Sequence, residues 1–353
     1  MYHLILCFIT SFLVTYIAIP SIITVARVKK LTDEPEERRA HRKSVPTLGG
    51  IAIFSGVIFS IILWTPFQVF GNLQYILCAM VILFLIGAKD DIIPLDPYKK
   101  MTGQVFAACI LVFKANIRIT SLYGLLGIND IPGWLSILLS IFTILVIINA
   151  MNLIDGVNAL CASVGIIICV TLGFWFKAVD QTVFAIIAAA LVGALVAFMK
   201  FNLSPAKIFM GDTGSMLVGV ICSILAISFI ELNKTGVDPQ YRISAPPAIA
   251  VSVLFIPLFD TIRVFTLRLI RGVSPFIADR QHMHHLLLDL GLTHLQVTSI
   301  LIMLNTIIII IAFNLQFLGN ITLVWIILCI GILFTFALSF LKKRSWRANR
   351  LSQ

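Results

Sequence analysis

The sequence predicts an all-α integral membrane protein of about eleven transmembrane helices, N-terminus outside and C-terminus cytoplasmic. Three observations lead there. Hydrophobic residues make up 59% of the 353 positions and charged residues 12%, about half the ~25% of an ordinary soluble domain. Apolar runs of about 20 residues, long enough to span a bilayer, follow one another along the chain. Lysine and arginine fall mainly in alternate loops. So much apolar surface cannot be hidden beneath so little charge, which excludes a soluble enzyme, a disordered chain and a coiled coil.

In order, the runs are residues 3–26, 48–66, 73–89, 102–119, 133–151, 159–177, 181–200, 214–231, 246–267, 297–315 and 320–341. The first is apolar from its start and its basic cluster follows it. That is the reverse of a cleavable signal peptide, so a retained helix is expected. Between the fourth and fifth runs, Lys114, Arg118 and Asp130 crowd the connection. The ninth carries Pro257 and an intramembrane Asp260, with Arg263 three residues on as an ion-pair partner on the same helix face. There is no internal repeat, so symmetry lends nothing to an inverted-repeat transporter. The seven cysteines stand singly in apolar runs without CxxC spacing, and read as small apolar side chains.

Twenty-one of the 26 Lys and Arg residues share one side with twelve of the 16 acidic residues. That side comprises loops 27–47, 90–101, 152–158, 201–213 and 268–296 and the tail 342–353, with the span-end residues Lys89, Lys200, Asp260 and Arg263, and reads as cytoplasmic. The net charge of +10 is thus a cationic face on a near-neutral bundle. No polar segment is long enough to form a nucleic-acid-binding domain.

Four motifs on that face carry chemistry. GAKDDIIPLD places Asp90 and Asp91 side by side at a span end, with Asp96 beyond. Adjacent carboxylates repel, so a divalent cation, a base or a shared proton must compensate, unless the pair is simply a solvated loop end. INAMNLIDGVNAL carries Asn149, Asn152, Asp155 and Asn158 every third position, on roughly one face if the helix continues. Their oxygens are hard ligands suited to Mg²⁺, though amides also glue helices together. KIFMGDTGSM sets Asp212 among glycines just before a span, either a helix cap or a phosphate cradle, with Lys207 as a phosphate contact. RLIRGVSPFIADRQHMHHLL gathers Arg268, Arg271, Arg280, His282, His284 and His285, a strip suited to a polyanion. It lacks HExxH spacing, so zinc is a poor fit. A fifth segment, DEPEERRAHRKSVPTLGG, is a basic first loop suited to anionic head groups or to setting topology alone. This inventory suits Mg²⁺-assisted chemistry on phosphates, with one substrate in the cytosol and one in the membrane.

The ordered set DEP…RRAH…PTLGG, GAKDD, NAMNLIDGVNAL, FMGDTGS and SPFIADRQHMHHLL resembles the polyprenyl-phosphate N-acetylhexosamine-1-phosphate transferases, over about residues 27 to 290. The HMHH string favours the bacterial branch that uses undecaprenyl phosphate and GlcNAc-1-phosphate over the phospho-MurNAc-pentapeptide branch. The resemblance implies a single transmembrane catalytic domain over residues 1–353, in the bacterial inner membrane with its active site at the cytoplasmic face. It implies a divalent-metal-dependent transferase taking UDP-GlcNAc and undecaprenyl phosphate, with Mg²⁺ or Mn²⁺, and releasing UMP. The product would be undecaprenyl-diphospho-GlcNAc, which starts O-antigen and enterobacterial common antigen synthesis. Membrane lipids are expected partners, a homodimer is compatible, and no nucleic acid is required. Another UDP-sugar, such as UDP-MurNAc-pentapeptide, or transport across the membrane are the alternatives.

By the same resemblance, Asp90 and Asp91 match paired aspartates that orient or deprotonate the lipid phosphate. Asn152 and Asp212 match metal-holding positions, Phe209 an aromatic that stacks on uracil, and His282, His284 and His285 a strip contacting diphosphate or sugar. Lys207, Asn158 and Arg268 join the substrate-binding candidates, and Asp155 the catalytic ones. Two departures stand out. The family's DDxxD is here DDIIPLD, so Asp96 comes two positions late. Its DGxDG is DGVNA, where Asn158 can bind through its carbonyl but cannot act as a base. Proton handling is therefore assigned to Asp90 and Asp155.

Overall fold

A computed structural model describes residues 2–31, 45–125, 127–273 and 281–351. The predicted loops around 33–44 and 274–280, with Arg280, lie outside the described residues. The helices are α1 Tyr2–Val28, α2 Gly49–Trp64, α3 Leu73–Ile92, α4 Pro97–Phe113, α5 Gly133–Leu153, α6 Leu160–Ala178 and α7 Thr182–Asn202. They continue with α8 Gly211–Thr235, α9 Pro246–Val253, α10 Phe255–Ile270, α11 Met283–Asp289, α12 His294–Leu315 and α13 Asn320–Leu351. Every predicted apolar run is largely helical. Among the described residues, seven helices are long and apolar enough to cross a membrane, and the bent pair α9–α10 makes at most an eighth. The protein is a multi-pass, essentially helical membrane protein.

Helix α8 is the axis of the bundle, packed against α2, α3, α5 and α6. Lipid supplies no hydrophobic force between helices, so close backbone approach through small residues does that work. At Gly50 an added Cβ would stand 2.2 Å from the backbone nitrogen of Gly214, so α2 and α8 touch backbone to backbone. Ser11 of α1 likewise donates to the Ala190 carbonyl of α7 at 2.6 Å.

Two local details differ from the expectation. The ninth run is not one helix: α9 and α10 meet at 84°. Pro257 has no N–H to offer the Val253 carbonyl one turn back. Asn305 of α12 serves that carbonyl instead, through Nδ2 at 3.2 Å, while its Oδ1 accepts the Ile256 N–H at 3.1 Å. One fully buried amide thus satisfies both halves of the break. The fold is all-α as expected, apart from one small hairpin. Helix α4 starts earlier and ends earlier than predicted, at Phe113, and a β-hairpin follows, β1 Ser121–Leu125 against β2 Ile128–Asp130.

The hairpin caps the bundle end formed by the C-terminus of α8 and the N-terminus of α13. Glu231 accepts from the Thr120 N–H at 3.0 Å and hydroxyl at 2.6 Å, and Lys234 pairs with Asp130 at 2.7 Å. Tyr123 donates its hydroxyl to the Ile230 carbonyl at 2.6 Å, and Asn320 Nδ2 donates to the Tyr123 carbonyl at 3.2 Å. The C-termini of α3, α5 and α7 and the N-termini of α4 and α8 gather at the opposite end, where most of the motifs lie.

Candidate active site

The site is built around the first turn of α8. The start of α2 and the residues just before it pair with those ahead of α8: Phe209 N–H donates to the Pro46 carbonyl at 2.8 Å and Gly50 N–H to the Met210 carbonyl at 2.8 Å. Gly211 then turns the chain at φ +71, where a Cβ would meet the Thr47 carbonyl at 2.1 Å and Asp91 Oδ1 at 2.6 Å. Only glycine fits both the dihedral and the space.

Asp91 explains the tightness. It accepts the N–H groups of Asp212 at 2.6 Å and Thr213 at 3.1 Å, and the Thr213 hydroxyl, capping α8 from another helix. Those amides are spent, so the phosphate cradle contemplated for the GDTGS turn is not available there. Asp90, its neighbour, accepts from the Leu95 N–H at 2.6 Å and pairs with Lys100 at 3.0 Å. Lys100 also pairs with Asp212, whose other oxygen accepts from Asn152, and Asn152 donates to the Ser215 hydroxyl at 2.8 Å. A chain Asp90–Lys100–Asp212–Asn152 therefore links α3, α4, α8 and α5. Asp96 caps α4 through the Tyr98 N–H at 2.8 Å, which accounts for its displaced position in the motif.

Beside this chain lies a cavity of about 1150 Å³. Asn149, Asn152, Asp155 and Asn158 all line it, but not as one continued helix. Helix α5 stops at Leu153, and Asp155 and Asn158 follow in the turn to α6. Asn158 is tied there by Nδ2 to the Ser204 hydroxyl at 3.1 Å and by its carbonyl to Thr298 at 2.9 Å. Ala159 sits at φ +62, where the family's glycine would be at ease. The Asp155 carboxyl has no hydrogen-bond or ion-pair partner among the described residues. Burial, with repulsion from Asp212 and Asp91, pushes it well above the usual carboxylate range.

The histidine strip lines the same cavity. His282, His284, His285 and Arg268 all line the cavity. His282 and His284 stack with centroids 5.6 Å apart, and His284 packs on Gly156, where a Cβ would lie 3.0 Å from its Nε2. Burial and the neighbouring His285 pull the His284 imidazole down to about 3, so it is neutral at pH 7. The same cavity has an apolar lining of Phe142, Leu145, Val146, Ile262, Phe265 and Leu269.

Residues 73–230 match the family described as glycosyl transferase family 4. The decaprenyl-phosphate N-acetylglucosaminephosphotransferase of Mycobacterium leprae is 31% identical over 314 residues, 83% of this chain and 79% of its own length. That of Mycolicibacterium smegmatis is 32% identical over 307 residues, 81% and 75%. The undecaprenyl-phosphate alpha-N-acetylglucosaminyl 1-phosphate transferase of Escherichia coli K12 is 28% identical over 333 residues, 92% and 87%. The chain belongs to the polyprenyl-phosphate N-acetylhexosamine-1-phosphate transferases.

In this transferase the cavity brings together Asn152, Asp155, Asn158, Phe209, Asp212, Arg268, His282, His284 and His285 from four separate stretches of sequence. It does not bring Asp90, Asp91 or Lys207 to its wall. Asp90 reaches the site through Lys100, Asp91 serves as a cap, and the Lys207 side chain is exposed on the loop beyond. Lys100 is the residue sequence reasoning missed, having been counted only toward topology. Its signal was a lysine ten residues after a carboxylate pair that needed a counter-charge.

Proposed function

We infer that the protein transfers GlcNAc-1-phosphate from UDP-GlcNAc to undecaprenyl phosphate, giving undecaprenyl-diphospho-GlcNAc and UMP. The observation that carries this is one cavity joining the carboxylate–amide cluster, the Arg/His wall and an apolar flank. Those are the needs of a nucleotide diphosphate, a sugar and a lipid chain. The 21-to-5 distribution of Lys and Arg supports placing this end of the bundle in the cytoplasm, with the protein in a bacterial inner membrane. The lipid-linked product suits initiation of a cell-surface polysaccharide such as O-antigen or enterobacterial common antigen.

Phosphoryl transfer between two anions is mostly a matter of position and charge neutralisation. A phosphate nucleophile is already largely anionic at pH 7, so a general base has little to add. Arg268 and His282 face the donor diphosphate, and Phe209 offers a face for uracil. Asp155, inclined to keep its proton, donates to a phosphate oxygen without adding negative charge.

The residues also suit Mg²⁺ or Mn²⁺. The Lys100 ammonium lies between Asp90 and Asp212, which marks that position as one favouring a cation. Asp212 and the Asn152 carbonyl are hard oxygen ligands on the cavity wall. Among the described residues no three His, Cys, Asp or Glu side chains gather as a metal cage, as expected where substrate phosphates and water complete the shell. Bound there, a divalent ion would neutralise charge on the donor diphosphate.

A panel of UDP-sugars with undecaprenyl phosphate and Mg²⁺ tests the reading. UDP-GlcNAc should release UMP fastest. Faster release from UDP-GalNAc or UDP-MurNAc-pentapeptide would reassign the sugar, and none from any donor would refute the reaction.

A further inference from the structure

Asp260 is not on the cavity wall, and it is 1% exposed. Both its oxygens are nonetheless committed to the segment carrying the histidines. Oδ2 lies 2.9 Å from His282 Nδ1, and Oδ1 accepts from Arg263 Nη2 at 2.9 Å and from the Met283 N–H at 2.9 Å. Arg263 donates in addition to the Gln281 carbonyl. Two side chains one helical turn apart on α10 thus pin three consecutive residues, 281–283, which lead into α11.

The hydrogen bonds assign the proton. Oδ1 already takes two N–H donors, one of them a guanidinium, so the Asp260 carboxylate is ionised and can only accept. The proton shared with His282 therefore sits on Nδ1, and Nε2 is the ring nitrogen left for the cavity. His282 in turn stacks against His284, which rests on Gly156 beside Asp155.

We propose that Asp260 is a positioning residue, which acts through His282 to hold the histidine wall against the diphosphate of the nucleotide-sugar donor. This rests on the transferase reading above. A carboxylate that orients a functional imidazole loses its effect once that imidazole is gone, whereas a purely structural ion pair does not.

The test is a cycle of wild type, Asp260→Asn, His282→Gln and the double variant. It reads kcat and KM for UDP-GlcNAc, donor affinity by calorimetry, and thermal unfolding in detergent. Asp260→Asn should lower kcat/KM about 10- to 100-fold, the size of loss seen when the carboxylate behind a metal-ligating histidine is removed. His282→Gln should lose at least as much, and the double variant should fall within about threefold of His282→Gln. Multiplied losses in the double variant, or near wild-type activity in Asp260→Asn, would overturn the proposal. If Asp260→Asn does not fold, Asp260→Glu replaces it in the same cycle. It keeps the charge but shifts the carboxylate, and its loss should also vanish in the His282→Gln background. If wild type itself releases no UMP, the reaction assignment has failed, and the cycle is then judged on donor affinity alone.

Discussion

The two ends of the bundle are both rich in ionisable side chains, yet they use them differently. At the hairpin end, Glu231 takes both polar hydrogens of Thr120, and Lys234 closes on Asp130 and the Thr120 hydroxyl. These charges hold the hairpin to α8. At the other end, Asp155 lines a large cavity without a partner among the described residues, and Asp212 shares its oxygens between a lysine and an amide while facing the same space. Charge near a membrane edge is thus a poor marker of function by itself. Bonding capacity left facing a cavity is the better one.

The contrast is sharpest in a pair of variants. Asp212→Asn removes a charge that faces the cavity and should cut turnover by at least about 100-fold, with a raised Mg²⁺ requirement. Glu231→Gln removes one spent on structure and should leave turnover within about threefold, since surface-end polar pairs contribute little beyond local order. UMP release over a Mg²⁺ titration compares them, and equal losses in both would erase the distinction between the ends.

Asn305→Leu comes next. It strands the Val253 carbonyl and Ile256 N–H at the α9–α10 break, a cost of about 2 kcal/mol. Unfolding in detergent should show that loss, together with reduced activity, because α10 carries the Phe265 and Arg268 wall. An unchanged melting temperature would mean that the break does not depend on α12.

His284 supplies a pH signature of its own. The unfolded chain takes up the proton near 6.5 and the folded protein only near about 3, so acid favours unfolding between those values. The melting temperature should fall as pH drops below about 6.5, and His284→Gln should flatten that slope. The smallest effect is a gain. Ala159→Gly relieves a left-handed alanine and should stabilise the fold by about 1 kcal/mol, offset in part by glycine's freedom in the unfolded chain.

Much of this was legible beforehand, and the exceptions share a cause. Helical stretches show as apolar runs, and the Asp260–Arg263 pair shows as i,i+3 spacing, because both are local. The partners of Asp91 lie 121 and 122 positions away, so its role as a cap depends on how α3 meets α8. Asn305 reads as one polar residue in an apolar span until Pro257 is seen to leave a carbonyl opposite it. The hairpin was hidden in a short connection where Gly124 and Gly127 adopt positive φ, a turn signal too brief to stand out among spans. In 90–101 a charge count marks Lys100 as cytoplasmic, whereas its place as counter-charge to Asp90 and Asp212 depends on how α4 meets α8.

The most direct test follows the phosphorus. With UDP-GlcNAc carrying ³²P in the phosphate attached to the sugar, undecaprenyl phosphate and Mg²⁺, the label should pass to the lipid fraction as unlabelled UMP appears in equal amount. Label retained in UDP while sugar reaches the lipid would mean transfer of the sugar without its phosphate, and would contradict the assignment of this cavity to sugar-1-phosphate transfer.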